Sequence, residues 1–550
     1  MSSGPERAVS RTDEPASSGF VWAVWALIGI AAVALSLVRA MAVNLPWHLA
    51  TARLAFESGH WPALNTFSYT FPGYPVFQQY PAFQATVWAA FRAAGWEGLS
   101  VLTSIGWVAA FLLFVRWAGS FRQGARFHVL WILALLALQR RMMLRPDMFT
   151  MIALGVELLA LDAFRRGRTL ALALVPLAHL FWANSHQLFP VSLMVQGLFL
   201  ADLAWQRGWR RVRIVALALA ASVALTFATP LGLRIVLAPL RTSQSLAVFR
   251  AHVAEFSPVW TMPYELTLAL ATGIPAAWAL WRTRRSTPLF DLGVWLLSLA
   301  LLASAVRGLM FFGIISVAVC QRCVLRARAS GVSLMPAIGA GSARILRVLG
   351  VSFTVMLAGA AVTFRWIKPS VALAGTQPGF GRAVGGWAEA ATDFLRAHPP
   401  PGRMLNLGGA LGDDVIFWIP GVPVFVDSRL ESYPPDFLRE VLAAETDDAA
   451  LARLIERYDV SWVFADHTRP ARRERLQALL RAGWQPVYVD SAHLVVVRPV
   501  PATDAYRRQR AIDLPRAQPG DLVAAPAALR EQQSQNFAAF MSAVDNPRAR

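Results

Sequence analysis

Apolar runs of about 18 residues or more, nearly free of charge, recur from Phe20 to about Phe364. No other feature limits this chain so tightly. About 20 apolar residues in a helix cross the ~30 Å of hydrocarbon in a bilayer, and the helix satisfies its own backbone hydrogen bonds there. The composition agrees: 56% of the residues are hydrophobic and only 15% are charged. The length of 550 residues is therefore read as a membrane domain plus an appendage, not as several soluble domains.

The formal net charge is +19, carried almost wholly by arginine, with Lys368 the single lysine. The arginines cluster in short turns between apolar runs: Arg165-Arg166-Gly167-Arg168, Arg207 to Arg213, Arg282 to Arg285, and Arg322 to Arg328. That is the positive-inside distribution of a polytopic protein. It argues against a nucleic-acid partner, which needs a solvated basic face.

Placing those clusters in the cytoplasm predicts about eleven crossings, with the N-terminal segment 1–19 inside. Phe20–Met41 is the first. Ala40-Met41-Ala42 resembles a signal-peptidase site, but the run exceeds a usual signal core, so a retained anchor is expected. The transmembrane domain covers 20–366, with external loops at 42–98 and 230–263. Tyr80–Ala94, short and carrying Gln84 and Arg92, is read as an amphipathic helix in the interface. Arg140, Arg141 and Arg145 then fall on the outer face, against the bias, which marks them as functional candidates.

Residues 367–500 read as a periplasmic α/β domain. Strand-like runs are Met404–Leu407, Val422–Val426, Val460–Ala465, Pro486–Val489 and Leu494–Val497, and helical patterns lie at Pro434–Ala443, Ala449–Tyr458 and Arg469–Ala482. The stretch 501–550, rich in Arg, Ala, Gln and Pro, is expected to be a disordered tail with a short helix near Ala527–Val544. Cys320 and Cys323 form C-x-x-C at the end of a span and are read as packing residues, not a redox pair. Leu407-Gly408-Gly409-Ala410-Leu411-Gly412 lacks dinucleotide-loop spacing and is read as a tight strand-to-helix turn.

The dense polar signatures are external. Asn44, Trp47 and His48 follow the first crossing. Arg145-Pro146-Asp147 opens a span, where a guanidinium suits a lipid phosphate. Trp182-Ala183-Asn184-Ser185-His186 joins two helix ends, and Asn and His at that depth need partners. Glu255 lies on the second loop, and Arg307 opens another helix. Arg145, His186, Glu255 and Arg307 are expected to converge on one outer cavity. Asp427 and Arg429 at a strand end are either an internal ion pair or an acceptor contact.

These motifs, in this order, resemble bacterial GT-C glycosyltransferases, relatives of protein mannosyltransferases and of aminoarabinose transfer to lipid A. The matching residues are Trp47-His48-Leu49, Phe67-Ser68-Tyr69-Thr70, Arg145-Pro146, Trp182-Ala183-Asn184 with His186, Pro230 with Gly232, Glu255, Arg307, and Val424 to Arg429, spread over about residues 20–500. The resemblance implies a polytopic helical membrane protein with a C-terminal soluble α/β domain. It implies transfer of a sugar from a polyprenyl-phosphate carrier to a lipid, glycan or protein acceptor at the outer face of the inner membrane. Arg145 and Arg307 would hold the donor phosphate, His48 and Glu255 would activate the acceptor, and Asn184 with His186 would give the cavity polarity.

Three positions depart from the pattern. Asn44 stands where an acid precedes Trp-His, Asn65-Thr66 where an acid precedes Phe-Ser-Tyr-Thr, and Gln79-Tyr80-Pro81 where Glu-Trp-Leu is usual. Asn is no base and a poor metal ligand. Either the base lies elsewhere, on Glu57, Asp147, Glu255 or His48, or the protein binds lipid-linked glycan as a non-catalytic scaffold. A transporter is a third reading, without inverted repeats to support it. The resemblance allows a divalent cation; the sequence assigns it no ligands.

Overall fold

The computed structural model describes residues 18–42, 44–77, 80–249, 253–332, 334, 340–363, 366, 377–383, 387–516, 531, 534–535 and 537–542. The segment 1–17, Lys368, Gln79 and half of the stretch 501–550 lie outside them.

Apolar stretches with proline at the first turn build the membrane domain. Its helices are α1 (Ser18–Ser36), α2 (Leu45–Ser58), α3 (Pro81–Ala118), α4 (Phe121–Gly124), α5 (His128–Leu138), α6 (Pro146–Arg165) and α7 (Leu174–Ala183). They continue with α8 (Pro190–Trp205), α9 (Trp209–Thr226), α10 (Ala238–Phe249), α11 (Pro263–Arg282), α12 (Leu289–Ser304), α13 (Leu309–Ala329) and α14 (Ala340–Val362). Pro46, Pro81, Pro146, Pro190 and Pro263 each sit at a helix start, where the missing N–H costs no bond. Among the described residues, five helical stretches are long and apolar enough to cross a membrane, and three shorter apolar helices accompany them. These lengths do not fix the expected count of about eleven crossings.

The interfacial helix expected at Tyr80–Ala94 is the first part of α3. The helix breaks at Ala94-Gly95, where Gly95 takes φ 57°, and continues as the span. A Cβ on Gly98 would lie 2.6 Å from the Ala90 carbonyl, so a small residue is required beside the break.

One face of the bundle is laced by arginine pairs. Arg322 bonds Asp291 (3.0 Å), Asp162 (3.2 Å) and the Trp117 carbonyl (2.8 Å), and Arg326 pairs with Asp291 (2.6 Å). Arg165 pairs with Asp202 (2.5 Å). These residues lie on α3, α6, α8, α12 and α13, whose ends therefore share a side. Cys320 and Cys323 are buried free thiols, as packing residues would be.

The C-terminal part contains α15 (Glu389–Ala397), β1 (Arg403–Leu407), α16 (Gly409–Trp418), α17 (Pro435–Ala444), α18 (Asp448–Arg457), β2 (Val460–Asp466), α19 (Pro470–Arg481), β3 (Gln485–Val489), β4 (His493–Val497) and α20 (Asp504–Arg510). The sheet order is β1-β2-β4-β3, with β1 parallel to β2 and the other pairs antiparallel. Strand alternation divides its side chains. Leu405, Leu407, Val463, Ala465 and Val496 join a core with α17 and α18. Met404, Trp462, Phe464, Val495 and Val497 face the other way and merge with the core of the membrane domain.

The strand expected at Val422–Val426 is absent from the sheet. Its backbone is used otherwise: Asn406 Oδ1 accepts from the N–H groups of Phe425 and Val426 (3.0 and 3.3 Å), and Val424 N–H donates to the Phe67 carbonyl (2.8 Å). Ser68 and Val424 form an isolated parallel bridge. The Phe67–Thr70 motif is thus a seam between first loop and soluble domain. Tyr69 OH donates to the Met404 carbonyl (2.7 Å), and Ser68 and Thr70 hydroxyls donate to the Phe425 carbonyl (3.1 and 2.8 Å).

Residues 501–516, read from composition as the start of a disordered tail, are folded. Thr503 Oγ1 donates to the Val500 carbonyl (2.9 Å), and Tyr506 OH donates to the His398 carbonyl (2.6 Å), which ties α20 to the end of α15. Farther along, Phe540 is buried and stacks on His467 at 4.5 Å. Half of the expected helix at Ala527–Val544 lies outside the described residues; those described, 531, 534–535 and 537–542, are helical.

Candidate functional site

On the face opposite the arginine lacing, helix ends, two loops and the soluble domain enclose a polar cavity of about 190 Å³. Its site residues come from six places in the chain. Asn44 and Trp47 lie at the start of α2. Arg145 and Asp147 flank Pro146 at the start of α6; Arg145 is in the extended conformation, so its side chain leaves the helix axis. His186 lies in the α7–α8 turn. Glu255 lies in the turn 254–256, and Arg307 in the turn 306–308. The soluble domain adds Ser428, Leu430 and Glu431.

Charges within the cavity interlock. Arg141 pairs with Asp147 and, at 2.6 Å, with Glu255. Arg145 pairs with the second Glu255 oxygen, also at 2.6 Å. Burial pushes the Glu255 carboxyl up, but Arg141 and Arg145 outweigh it and hold the group at about 2. His186 Nδ1 lies 2.8 Å from Thr150 Oγ1, and its Nε2 is 4.0 Å from Asp147. Burial, helped by Arg307 and Arg141 and opposed by Asp147, brings this imidazole down to about 4, so it is neutral at pH 7. Arg307 lies over the Phe256 ring at 4.6 Å and has no carboxylate pair among the described residues.

Glu431 differs from the other two cavity carboxylates. It has no ion pair among the described residues, and burial, with Asp427 adding and Arg429 opposing, raises it to about 7. Asp147 and Glu255 are both tied to guanidiniums. A donor set of one free carboxylate among three arginines does not fit a divalent cation. Among the described residues, no group of three or more His, Cys, Asp or Glu side chains is placed to hold a metal.

A second cavity of about 180 Å³, mostly apolar, adjoins the first. It is lined by Leu136, Ala137, Leu268, Leu309 and Met310 among others. Arg141, Arg145, Glu255 and Arg307 line both cavities and form their common wall.

The structure thus gathers Asn44, Trp47, Arg145, Asp147, His186, Glu255 and Arg307 in one place. Five expected residues stand apart. His48 is buried behind Trp47, with ring centroids 3.6 Å apart, and its Nδ1 lies 3.2 Å from Gln84 Nε2. Burial keeps it well below the usual histidine range. Asn184 spends its amide on the Leu180 and Ala228 carbonyls (3.0 and 3.1 Å). Asp427 and Arg429 have fully buried side chains and pair at 2.7 Å, so they make the internal ion pair and not an acceptor contact. Glu57 lies exposed near Arg53, in a different pocket. The glycine loop is the tight turn expected: Gly408 has φ 112°, and a Cβ on Gly412 would meet the Val426 carbonyl at 2.0 Å. Tyr80 and Glu431 were not singled out by sequence. Glu431 lies only two residues beyond the Asp427-Ser428-Arg429 motif, without a spacing of its own.

No protein-family model matches this chain, and no curated protein sequence matches it. Solved structures do. The archaeal oligosaccharyltransferase AglB from Archaeoglobus fulgidus, in complex with an inhibitory peptide and a dolichol-phosphate, aligns with TM-score 0.58 at 12% identity, covering 86% of this chain and 73% of its own. The apo form of the A. fulgidus oligosaccharyltransferase aligns with TM-score 0.56 at 13% identity, covering 84% and 71%. ArnT from Cupriavidus metallidurans bound to undecaprenyl phosphate aligns with TM-score 0.48 at 14% identity, covering 88% and 98%. The likeness to the oligosaccharyltransferase, over 86% of this chain, shows that the chain has the GT-C fold, and five of its described helical stretches are long and apolar enough to cross a membrane.

Proposed function

We propose that the protein is a membrane glycosyltransferase that moves a sugar from a polyprenyl-phosphate carrier to a lipid, glycan or protein acceptor. The observation that carries this reading is the shared wall of arginines between an apolar and a polar cavity. A lipid-linked sugar has three parts: an apolar tail, an anionic phosphate and a polar sugar. The apolar chamber suits the tail, the guanidiniums suit the phosphate, and the cavity beneath the soluble domain suits sugar and acceptor. The dolichol-phosphate in the A. fulgidus AglB complex is in keeping with a lipid-phosphate ligand.

The chemistry follows from the charges. The acceptor hydroxyl gives its proton to the Glu431 carboxylate, and its oxygen bonds to the anomeric carbon. The bond from that carbon to the phosphate oxygen breaks, and the electron pair leaves with the phosphate. Arg145 and Arg307, with Arg141, stabilise the charge that develops there. Glu255, pinned by two guanidiniums, is a poorer proton acceptor than Glu431.

The reading puts the active face outside the bacterial inner membrane, with the N-terminus cytoplasmic and the 367–500 domain periplasmic. The arginine-laced opposite face supports this orientation. Asn44, uncharged on the cavity wall, favours a second reading, a non-catalytic scaffold for lipid-linked glycan. Purified protein incubated with undecaprenyl-phosphate-linked sugar and candidate acceptors separates them. Release of undecaprenyl phosphate, lost in Arg145→Ala and Arg307→Ala, supports the transferase. Binding without release supports the scaffold, and absence of binding removes both.

A further inference from the structure

Glu255 stands where an anionic ligand of these arginines would stand. Its Oε2 accepts from Arg141 Nη1 and its Oε1 from Arg145 Nη1, each at 2.6 Å. One anion bridging two guanidiniums through two oxygens is the arrangement a phosphate also makes. The arginines belong to fixed parts of the fold: Arg145 precedes Pro146 at the start of α6, and Arg141 is held by Asp147. Glu255 belongs to a short turn, and its side chain is 35% exposed. The same turn supplies Phe256 beneath Arg307. One mobile-sized element therefore carries both the carboxylate in the seat and the ring under the third guanidinium.

We propose that Glu255 is an internal stand-in for the donor phosphate: it fills the Arg141–Arg145 seat in the empty protein, and a phosphodiester headgroup binds by displacing it. The inference rests on the lipid-phosphate reading above. The exchange conserves charge, because one carboxylate leaves as one phosphodiester arrives. Without it, Arg141 and Arg145 would have Asp147 as their one paired carboxylate among the described residues. With it, the Arg141–Arg145 seat is balanced and closed to stray anions, and part of the binding energy of a true ligand goes into opening the turn.

The test is binding of an undecaprenyl-phosphate-linked sugar, a phosphodiester, to the full chain in nanodiscs, for wild type, Glu255→Gln, Glu255→Ala and Arg145→Ala. Both Glu255 variants are expected to bind on the order of tenfold more tightly than wild type. In wild type, hydrogen exchange across residues 253–262 is expected to speed up when the lipid is added, a readout that needs no variant. Equal or weaker binding by both Glu255 variants, or a turn that becomes more protected, overturns the proposal. Arg145-dependent binding that is not sharpened by loss of Glu255 overturns this inference alone. No binding by any of the proteins overturns it together with the lipid-phosphate reading.

Discussion

Arg429 Nη2 donates to Asn65 Oδ1 at 2.8 Å, although 364 residues separate the two in the chain. The same guanidinium pairs with Asp427, whose Oδ2 also accepts from Tyr433 OH at 2.7 Å. Asn65 Nδ2 donates to the Ser432 carbonyl at 3.3 Å. An amide at position 65 is therefore the fitting group: one end meets a guanidinium already neutralised by Asp427, and the other meets a carbonyl. A carboxylate there would turn an oxygen toward that carbonyl and add an uncompensated charge.

Asn65→Asp should therefore weaken the seam, by about 1–3 kcal/mol. Arg429→Ala should cost more, about 3–5 kcal/mol, because it leaves Asp427 buried without its cation. Thermal unfolding in detergent, followed with limited proteolysis between first loop and soluble domain, checks both. Unchanged unfolding in Arg429→Ala would refute a structural role for the pair.

Arg307 has no carboxylate pair among the described residues, which leaves its guanidinium available to a ligand. Arg307→Ala should weaken undecaprenyl phosphate binding by roughly tenfold or more, in line with a lost charge-assisted bond. Arg307→Lys should restore only part of it, since an ammonium lacks the planar fork. Full affinity in the alanine variant would remove Arg307 from the headgroup site.

Glu431, raised to about 7, gives transfer a pH dependence of definite sign. The carboxylate accepts a proton only when ionised, so kcat/KM should rise as pH increases through about 7 and then level. Glu431→Gln should abolish that limb and most of the rate. Glu255, at about 2, should contribute no limb above pH 4. A rate that rises through pH 7 unchanged in Glu431→Gln would assign the proton acceptor elsewhere.

The soluble domain carries a second titrating pair. His493 Nδ1 lies 3.1 Å from Asp490. Burial acts against the imidazolium, but Asp490, with Asp466 and Asp414, outweighs it and raises His493 to about 9. Burial likewise opposes the Asp490 carboxylate, and His493 holds it at about 2. The histidine part of this stability is complete below its unfolded value of ~6.5 and is lost as pH rises through 9. The aspartate part is complete above ~4 and is lost as pH falls through 2. Unfolding midpoints measured from pH 5 to pH 10 should fall on the alkaline side in wild type and much less in His493→Ala.

The parts legible in the sequence were those with a local cause. Long apolar runs marked the membrane helices, and the short apolar runs Met404–Leu407, Val460–Ala465 and Leu494–Val497 were read as strands and lie in the sheet. The arginines at 140, 141 and 145 were marked by their conflict with the charge bias, and the structure sets 141 and 145 in the cavity. What stayed hidden depends on distant partners. Val422–Val426 has the composition of a strand, but its backbone is claimed by Asn406 and the first loop. His48 looked exposed because it follows a crossing; the packing of Trp47, Tyr80 and Phe83 around it was invisible. Glu431 owes its unusual environment chiefly to burial, which local spacing does not reveal.

The seam also sets an order in time. Ser68 is made early, but the carbonyl that receives its hydroxyl belongs to Phe425, 357 residues later. At ~5–20 residues per second, synthesis of that interval takes on the order of tens of seconds. Throughout it the first loop waits without its partner, and the roof of the cavity does not yet exist. A nascent chain therefore holds its spanning helices before it holds a closed reaction chamber, and the protein is complete as a membrane object well before it is complete as a site.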